Sequence, residues 1–199
     1  MDTSNDWIVE RTGIKQRHYI DGNQGPSDLA IPATEDALKM AGLTVDDIDL
    51  IIFATSTPDY YAPGSGWLLQ EKMGFKTIGA LDIRVQCPGF VYGLSIAEQY
   101  IKTGTAKHVL LVGAEVQSTA LDMSTKGRDT AVIFADGAGA VILSSTKEDK
   151  GILSTHLHSE GKYAKELWVE SPSSKANPRL TPEILDEGKH LLFIDRKSV

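Results

Sequence analysis

Two uninterrupted apolar runs, Leu50–Ala54 and Val109–Ala114, constrain the fold more than any other feature of this sequence, and the second supplies most of a buried strand predicted over His108–Gly113. A short continuous apolar run is typical of a β-strand that is covered on both faces, as in a parallel sheet. Helical patterns accompany these strands over Ser27–Met40, Gly64–Met73 and Pro88–Thr103, and a glycine that can end the helix lies close after each of them. This alternation predicts a layered α/β fold with βαβ crossovers.

Several local details follow from the same patterns. Ser27 is expected to cap the first of these helices, and Pro32 is expected to kink that helix or delay its start. A further buried strand is predicted over Gly79–Val85. Thr130–Phe134 and Gly139–Leu143 are predicted to be paired strands on either side of a glycine-rich bend.

The pattern changes near residue 146, which predicts a division of the chain into two parts. Residues 1–145 are expected to form an α/β half-domain. Residues 146–199 are expected to contain a continuation strand (Gly151–His158) and a polar, proline-bearing excursion over Glu160–Gly188. The last residues, Phe193–Val199, carry no signal that ends an element, as though a helix began at Asp195.

Charge and composition exclude several classes of function. The chain has 20 Lys and Arg against 27 Asp and Glu, a net charge of -7, and this acidic balance argues against a nucleic-acid partner. No apolar run approaches the roughly 20 residues of a membrane helix, and the acidic N-terminus does not resemble a signal peptide. A single cysteine excludes a disulfide framework and a cysteine-based zinc site, and predicts a cytoplasmic protein.

That cysteine, Cys87, is the leading candidate for chemistry. It lies where a predicted strand meets a long helix, with Pro88 expected at the first helical position. A helix N-terminus stabilises a thiolate, and the backbone N–H groups of the first turn can stabilise an oxyanion. The alternative is that Cys87 fills space in the core, as free cysteines commonly do.

Three other patterns have a chemical and a structural interpretation. Gly137 and Gly139 do not open a helix, so a tight turn or close backbone packing is favoured over a phosphate-binding loop. His156 and His158 share a strand face, but without a third ligand at a suitable spacing no metal site is predicted.

Trp7 and Arg11 share a face of a short helix after Ser4. They either stack an aromatic ligand and contact its phosphate, or form a packed tryptophan with an extended arginine.

Taken together, four stretches resemble the β-ketoacyl-acyl-carrier-protein synthase III family of the thiolase fold. They occur in family order and cover nearly the whole chain. The stretches are Asp2–Ile8 with Arg11–Ile14, then Val85–Phe90, then Phe134–Ala140, and finally Ser154–His158.

The resemblance implies roles for individual residues. Cys87 would take an acyl group from coenzyme A as a thioester, and its N–H would form half of an oxyanion hole. Trp7 and Arg128 would sandwich the adenine of coenzyme A, with Arg11 near its phosphates. Thr3 would lie along the pantetheine tunnel.

The resemblance also places Ile133 and Phe134 along the tunnel and acyl pocket. Ala62 falls where acetyl-selective members carry a bulky phenylalanine that reaches across a dimer interface. This implies room for a primer longer than acetyl, and a homodimer. Coenzyme A thioester would be a substrate, and no other cofactor is expected.

The resemblance further implies the N-terminal half of a duplicated βαβαβ-type fold, without the family's first strand and C-terminal half. The five histidines here match neither the family's catalytic histidine nor its surrounding motif. We therefore expect an acyl-accepting half of an enzyme that condenses acyl-coenzyme A with malonyl-acyl carrier protein in fatty-acid initiation, and no condensation by this chain alone. The alternatives are a related acyltransferase of secondary metabolism and a non-catalytic pairing module.

Overall fold

A computed structural model gives the structure of this chain, and it describes residues 1–195. Of the helix expected to begin at Asp195, residues 196–199 lie outside the described residues. The helices are α1 (Asn5–Thr12), α2 (Pro26–Ala41), α3 (Ser65–Met73), α4 (Gly89–Lys102), α5 (Arg128–Ala131) and α6 (Pro182–Asp186). The strands are β1 (Leu50–Ala54), β2 (Gly79–Ile83), β3 (His108–Val116), β4 (Asp136–Ser144), β5 (Leu167–Trp168) and β6 (Phe193–Ile194). Short 3-10 turns cover Val45–Asp47, Ser118–Ala120 and Gly161–Tyr163.

A four-stranded mixed sheet organises one part of the molecule. Its strand order is β2-β1-β3-β4. β1 pairs in parallel with both β2 and β3, while β4 runs antiparallel to β3. The parallel pairs confirm the predicted α/β layering, and they bring the carboxyl ends of β1, β2 and β3 to one edge of the sheet.

The two central strands are buried on both faces, as their apolar sequences predict. Ile51 and Phe53 of β1 face a core that is closed by α2 and α3. Leu50 and Ile52 of β1 face a second core, which includes Ala97 of α4. Because successive strand residues point to opposite faces, a continuous apolar run is what such a three-layer arrangement requires.

The predicted helices are confirmed, with shifts at their ends. Gly42 is the C-cap of α2, and its φ of 65° lies in the left-handed region that glycine tolerates. Its N-cap is Gly25 rather than the predicted Ser27, whose hydroxyl instead donates to Asp59. Pro32 lies inside α2 and does not delay its start.

Two strand predictions, Thr130–Phe134 and Gly151–His158, were wrong. The strand predicted over Gly79–Val85 is confirmed as β2, but it ends at Ile83 and is only partly buried, because it has a neighbour on one side only among residues 1–195. In the segment Thr130–Phe134, the first two residues belong to α5 and the next two form a turn, since the amides of Val132 and Phe134 donate to the carbonyls of Arg128 and Thr130.

The glycine-rich segment was also misassigned, because it lies inside β4 and forms no bend. Gly137 and Gly139 pair with Glu115 and Gly113 of β3. Gly151–His158 contains no strand.

The chain divides into two compact units, each built from separate stretches of sequence. The sheet unit comprises Ile20–Val116 and Asp136–Leu157. The tryptophan unit comprises Met1–Tyr19, Gln117–Ala135 and the described part of His158–Val199. This division does not test the expected division of the chain into residues 1–145 and 146–199, which stays a prediction. Within residues 1–195, every helix is too short or too polar to cross a membrane.

Candidate active site

Cys87 lies on the turn that joins β2 to α4. β2 ends at Ile83, and Pro88 is the N-cap of α4 rather than its first residue as predicted. Gln86 has a φ of 53°, the one positive value for a non-glycine residue within residues 1–195, and its carbonyl accepts from the amide of Gly89 at 2.9 Å. This tight turn leaves the Cys87 side chain exposed. Buried packing, the structural alternative, is therefore wrong.

Close backbone packing places this turn at the carboxyl edge of the parallel strands. A Cβ built on Gly89 would lie 3.2 Å from the Cβ of Ala54, the last residue of β1. The amide of Thr55 donates to the carbonyl of Ile83 at 3.2 Å. α4 therefore begins beside the ends of β1 and β2, and this edge is where open α/β sheets bind ligands.

Asp82 is a partly buried carboxylate that precedes this turn on β2. It accepts hydrogen bonds from the amides of Ser65 and Gly66, at 2.6 and 2.9 Å, in the first turn of α3. Burial raises the pKa of Asp82, and the nearby Asp59 carboxylate acts in the same direction. No sequence pattern indicated that Asp82 binds the first turn of α3, because this contact joins a strand to a helix that precedes it in the chain.

In the tryptophan unit, two arginines contact one indole ring. α1 begins at Ser4, whose hydroxyl accepts from the amide of Trp7, as the predicted short helix requires. The guanidinium carbon of Arg11 lies 4.5 Å from the centroid of the Trp7 ring, and that of Arg128 lies 4.8 Å away. Both distances are within the range of cation–π contacts.

Arg128 is held by contacts with the N-terminal segment. Its Nη1 donates to the carbonyl of Asp2 at 2.8 Å, and the amide of Asp2 donates to the hydroxyl of Thr125 at 2.9 Å. Its Nε is buried without a hydrogen-bond partner and lies 4.0 Å from the carboxylate of Asp129. The hydroxyl of Thr3 is also buried without a partner. Polar groups in this state are suited to a ligand that supplies the missing partner.

A cavity of about 450 Å³ adjoins this cluster. Its lining includes Trp7, Arg11, Asp129 and Ile133, whereas Thr3 and Phe134 do not line it. Ile133 is exposed and Phe134 is half-buried. The cavity can accept a flat or apolar group beside the Arg11 guanidinium.

Arg17 fixes the backbone next to Ile133, and sequence reasoning missed it. Its Nε donates to the carbonyl of Val132 at 2.8 Å, and its Nη2 donates to the same oxygen. Val132 is the C-cap of α5, so Arg17 satisfies a carbonyl at the end of that helix. An arginine is a usual partner for a carbonyl at the end of a helix. Because Arg17 and Val132 are far apart in the sequence, no local pattern indicated that they pair.

The structure brings six of the eight predicted site residues into the tryptophan unit and two into the sheet unit. The first set is Thr3, Trp7, Arg11, Arg128, Ile133 and Phe134. Cys87 and Ala62 belong to the sheet unit, and both are exposed. Their roles stay predictions.

The two histidines considered as metal ligands, His156 and His158, lie in a segment without helix or strand. His156 shares a hydrogen bond with the hydroxyl of Ser154 at 3.2 Å. In the described part of the chain, no three His, Cys, Asp or Glu side chains are grouped as metal ligands.

Comparison with known proteins identifies one family. The family model described as 3-Oxoacyl-[acyl-carrier-protein (ACP)] synthase III matches residues 81–161. The "Beta-ketoacyl-[acyl-carrier-protein] synthase III" of Ehrlichia canis is 50% identical over 164 residues, which are 82% of this chain and 51% of that protein. The chain spans about half the length of the curated relatives it matches.

Solved structures agree with the sequence comparison. A β-ketoacyl-[acyl carrier protein] synthase III from Thermus thermophilus has a TM-score of 0.84 and 36% identity, and the match covers 100% of this chain and 59% of that one. The priming β-ketosynthase of the R1128 polyketide biosynthetic pathway has a TM-score of 0.83 and 27% identity, over 99% of this chain and 57% of that one. These similarities confirm the predicted thiolase-like α/β fold.

Proposed function

This chain belongs to the β-ketoacyl-[acyl-carrier-protein] synthase III family, and we propose that it performs the acyl-accepting step of a condensing enzyme, with Cys87 as the nucleophile. One observation carries the proposal: an exposed thiol on a strand-to-helix turn at the N-terminus of α4, beside the carboxyl ends of two parallel strands. Such a turn presents a nucleophile to a substrate, and the helix dipole favours a negative charge there.

The proposed acylation is a thioester exchange. The Cys87 thiolate attacks the carbonyl carbon of acyl-coenzyme A and forms a new carbon–sulfur bond. The bond from that carbon to the coenzyme A sulfur breaks, and coenzyme A leaves as a thiolate that takes up a proton. Backbone N–H groups of the first turn of α4 would stabilise the oxyanion that forms in between.

In the proposed second step, malonyl-acyl carrier protein loses carbon dioxide, and the resulting enolate attacks the thioester carbon on Cys87. This frees the Cys87 thiolate and gives a β-ketoacyl-acyl carrier protein. The chain covers about half of its relatives' length, and the family resemblance assigns the catalytic role to none of its five histidines. We therefore assign only the first step to this chain alone.

The tryptophan unit is proposed to bind the nucleotide part of coenzyme A. Trp7 would stack on the adenine, Arg11 would pair with phosphate, and Arg128 would cover the other face. Stacked rings have centroids at least about 4.5 Å apart. Because the Arg128 guanidinium lies 4.8 Å from the Trp7 ring, the adenine would have to displace it from its present contact.

The acyl pocket is proposed to involve Ala62, Ile133 and Phe134, with Thr3 along the tunnel. The small side chain of Ala62 supports a primer longer than acetyl. A homodimer and a cytoplasmic location belong to the same proposal. The exposed side chain of Trp67 and the edge position of β2 support a homodimer.

Intact-mass spectrometry tests the proposal directly. The protein is incubated with acetyl-, hexanoyl- and decanoyl-coenzyme A, and the modified peptide is mapped. We expect one acyl group on Cys87, with the longer chains transferred faster than acetyl, and no adduct in the Cys87→Ser variant. Serine keeps the size of the side chain, so folding should be unchanged.

Three results would contradict the proposal or a part of it. Labelling that persists in Cys87→Ser would exclude Cys87 as the nucleophile. A folded protein that no acyl-coenzyme A labels would favour the non-catalytic pairing module. A preference for acetyl would contradict the role of Ala62 and leave Cys87 in place.

The similarity to the R1128 priming ketosynthase favours a second candidate, a condensing enzyme of secondary metabolism. The acylation step would be the same, and the two functions would differ in the chain-elongation partner. To separate the two functions, the acylated protein, together with the rest of its enzyme, is incubated with malonyl-acyl carrier protein from a fatty-acid system or from a polyketide system. The carrier protein that yields product identifies the function.

A further inference from the structure

The loop between β1 and α3, residues 55–64, leaves the sheet beside the Cys87 turn. Its first residue, Thr55, is buried and donates its amide to Ile83, at the end of the strand that leads to Cys87. The loop carries the exposed residues Tyr60, Tyr61 and Ala62. Exposed loop tips of this kind are usually mobile unless other groups hold them.

Glu115 of β3 holds the start of this loop. Its Oε1 accepts from the amide of Ser56 at 2.8 Å, and its Oε2 accepts from the hydroxyls of Ser56 and Thr57 at 2.8 and 2.6 Å. The Thr57 hydroxyl oxygen accepts in turn from the amide of Val116 at 2.8 Å. Three hydrogen bonds to one ionisable group therefore tie the exit of β1 to the end of β3.

Asp59, inside the loop, is attached to the first turn of α2. Its carboxylate accepts from the hydroxyl and the amide of Ser27 at 2.7 and 3.3 Å. A Cβ on Gly25 would come within 2.1 Å of the Asp59 carboxylate, so this close approach requires glycine. The amide of Asp59 also donates to the hydroxyl of Ser65 at 3.2 Å, which links the middle of the loop to its end.

Asp82 of β2 holds the end of the loop through the amides of Ser65 and Gly66. A Cβ on Gly64 would lie 2.6 Å from the carboxyl carbon of Asp82. The loop is thus fastened at its start, middle and end, by carboxylates from three different places in the fold. Hydrogen bonds to charged groups are among the stronger ones in proteins.

We propose that Asp59, Asp82 and Glu115 are positioning residues of the acyl pocket: they fix the β1–α3 loop, and with it Ala62, and so determine which acyl chain Cys87 accepts. The proposal rests on the proposed acylation of Cys87. None of the three carboxylates is assigned a contact with substrate. Their effect is exerted through the loop, because a pocket wall selects among chain lengths only if it stays in place.

Two isosteric variants test the proposal, Glu115→Gln and Asp82→Asn. Asp82→Asn places an NH2 group against one of two backbone amides, and Glu115→Gln removes the negative charge on which three hydrogen bonds converge, so the clamp that these carboxylates form on the loop loosens while the volume is kept. Asp47→Asn is the matched control. Asp47 accepts from the amide and hydroxyl of Thr44 at 2.8 and 2.9 Å in the turn before β1, outside the loop. Asp59→Asn replaces either clamp variant that fails to fold.

The first readout is chymotryptic cleavage after Tyr60 and Tyr61, which does not depend on any enzymatic activity. The second is the ratio of the rates at which acetyl- and decanoyl-coenzyme A label Cys87. In both clamp variants we expect faster cleavage and a ratio changed by between about threefold and about a hundredfold, since small displacements at a reacting site have effects up to that size. Asp47→Asn should change neither.

The outcomes separate this proposal from the one on which it rests. An unchanged labelling ratio in folded clamp variants overturns the positioning role, whether or not cleavage accelerates, and leaves Cys87 as the nucleophile. A wild-type protein that is never labelled overturns the acylation itself, and the selectivity role with it. Unchanged cleavage shows in either case that the carboxylates do not hold the loop.

Discussion

The sheet unit and the tryptophan unit place their candidate site residues by different physical means. In the sheet unit, β1 and β3 are buried on both faces, and close packing fixes the start of α4. In the tryptophan unit, the secondary-structure elements are short, and the contacts at Trp7 are made by long cationic side chains. Apolar packing sets a backbone position firmly, whereas an arginine over an indole ring can move when a ligand arrives.

This difference suggests a division of labour between chemistry and binding. A nucleophile needs a fixed position, and Cys87 lies on a turn that is packed against the best-buried strands. A nucleotide site needs adaptable contacts, and the Trp7 cluster provides them. Substitutions in the first region should therefore act mainly on stability, and those in the second mainly on ligand affinity.

The largest expected effect tests the stability side of this contrast. Phe53→Ala removes a fully buried ring from β1, and we expect it to lower the free energy of unfolding by about 3–5 kcal/mol. The matched variant, Phe193→Ala, removes a ring that is 54% exposed in β6, and about 1 kcal/mol or less is expected. Urea denaturation followed by circular dichroism measures both. Equal losses would mean that the two units do not differ in packing as described.

A second prediction concerns the binding side. Arg128→Ala removes one cation over the Trp7 ring, and we expect the affinity for coenzyme A to fall about tenfold, equivalent to about 1.4 kcal/mol. Lys162→Ala is the control, since Lys162 makes a similar contact with the ring of Tyr163 at 4.6 Å. Isothermal titration calorimetry gives both affinities. If the control loses as much affinity as Arg128→Ala, the Trp7 cluster is not the nucleotide site.

The sequence predicted the core of the sheet well because local information was enough there. A run such as Leu50–Ala54 is apolar at every position, and only a strand covered on both faces can bury all of it. The first turn of α4 was located to within one residue, because proline and the apolar periodicity marked it.

Much of what the local sequence patterns did not indicate depends on contacts between distant parts of the chain. Thr130–Phe134 has β-branched residues that favour a strand, yet Arg17 caps its carbonyl end and the segment forms a helical turn. The exposure of β2 follows from the strand order, which no single segment specifies. The contact of Arg128 with the N-terminal segment spans 126 residues, and only the family resemblance pointed to Arg128.

The smallest predicted effect is on the pH dependence of stability, and it compares two carboxylates of the sheet unit. Hydrogen bonds from the amides of His108 and Lys107 lower the pKa of Asp49, with the His108 amide as the largest cause. Burial instead raises the pKa of Asp82. An unperturbed aspartate has a pKa of about 3.9, so the two residues should affect stability in opposite directions as the pH falls towards that value.

The signs follow from proton binding in the folded and unfolded states. The folded state binds a proton at Asp49 less readily than the unfolded state does, so the stability that Asp49 contributes is lost as the pH falls through the acid range. At Asp82 the folded state binds the proton more readily, so its contribution is present at low pH and is lost as the pH rises through the raised pKa. The free energies of unfolding of the wild-type protein, Asp49→Asn and Asp82→Asn are measured at several pH values between about 3 and about 7. The destabilisation by Asp49→Asn should shrink as the pH falls, whereas that by Asp82→Asn should grow. Parallel curves for the two variants would mean that burial does not distinguish these carboxylates.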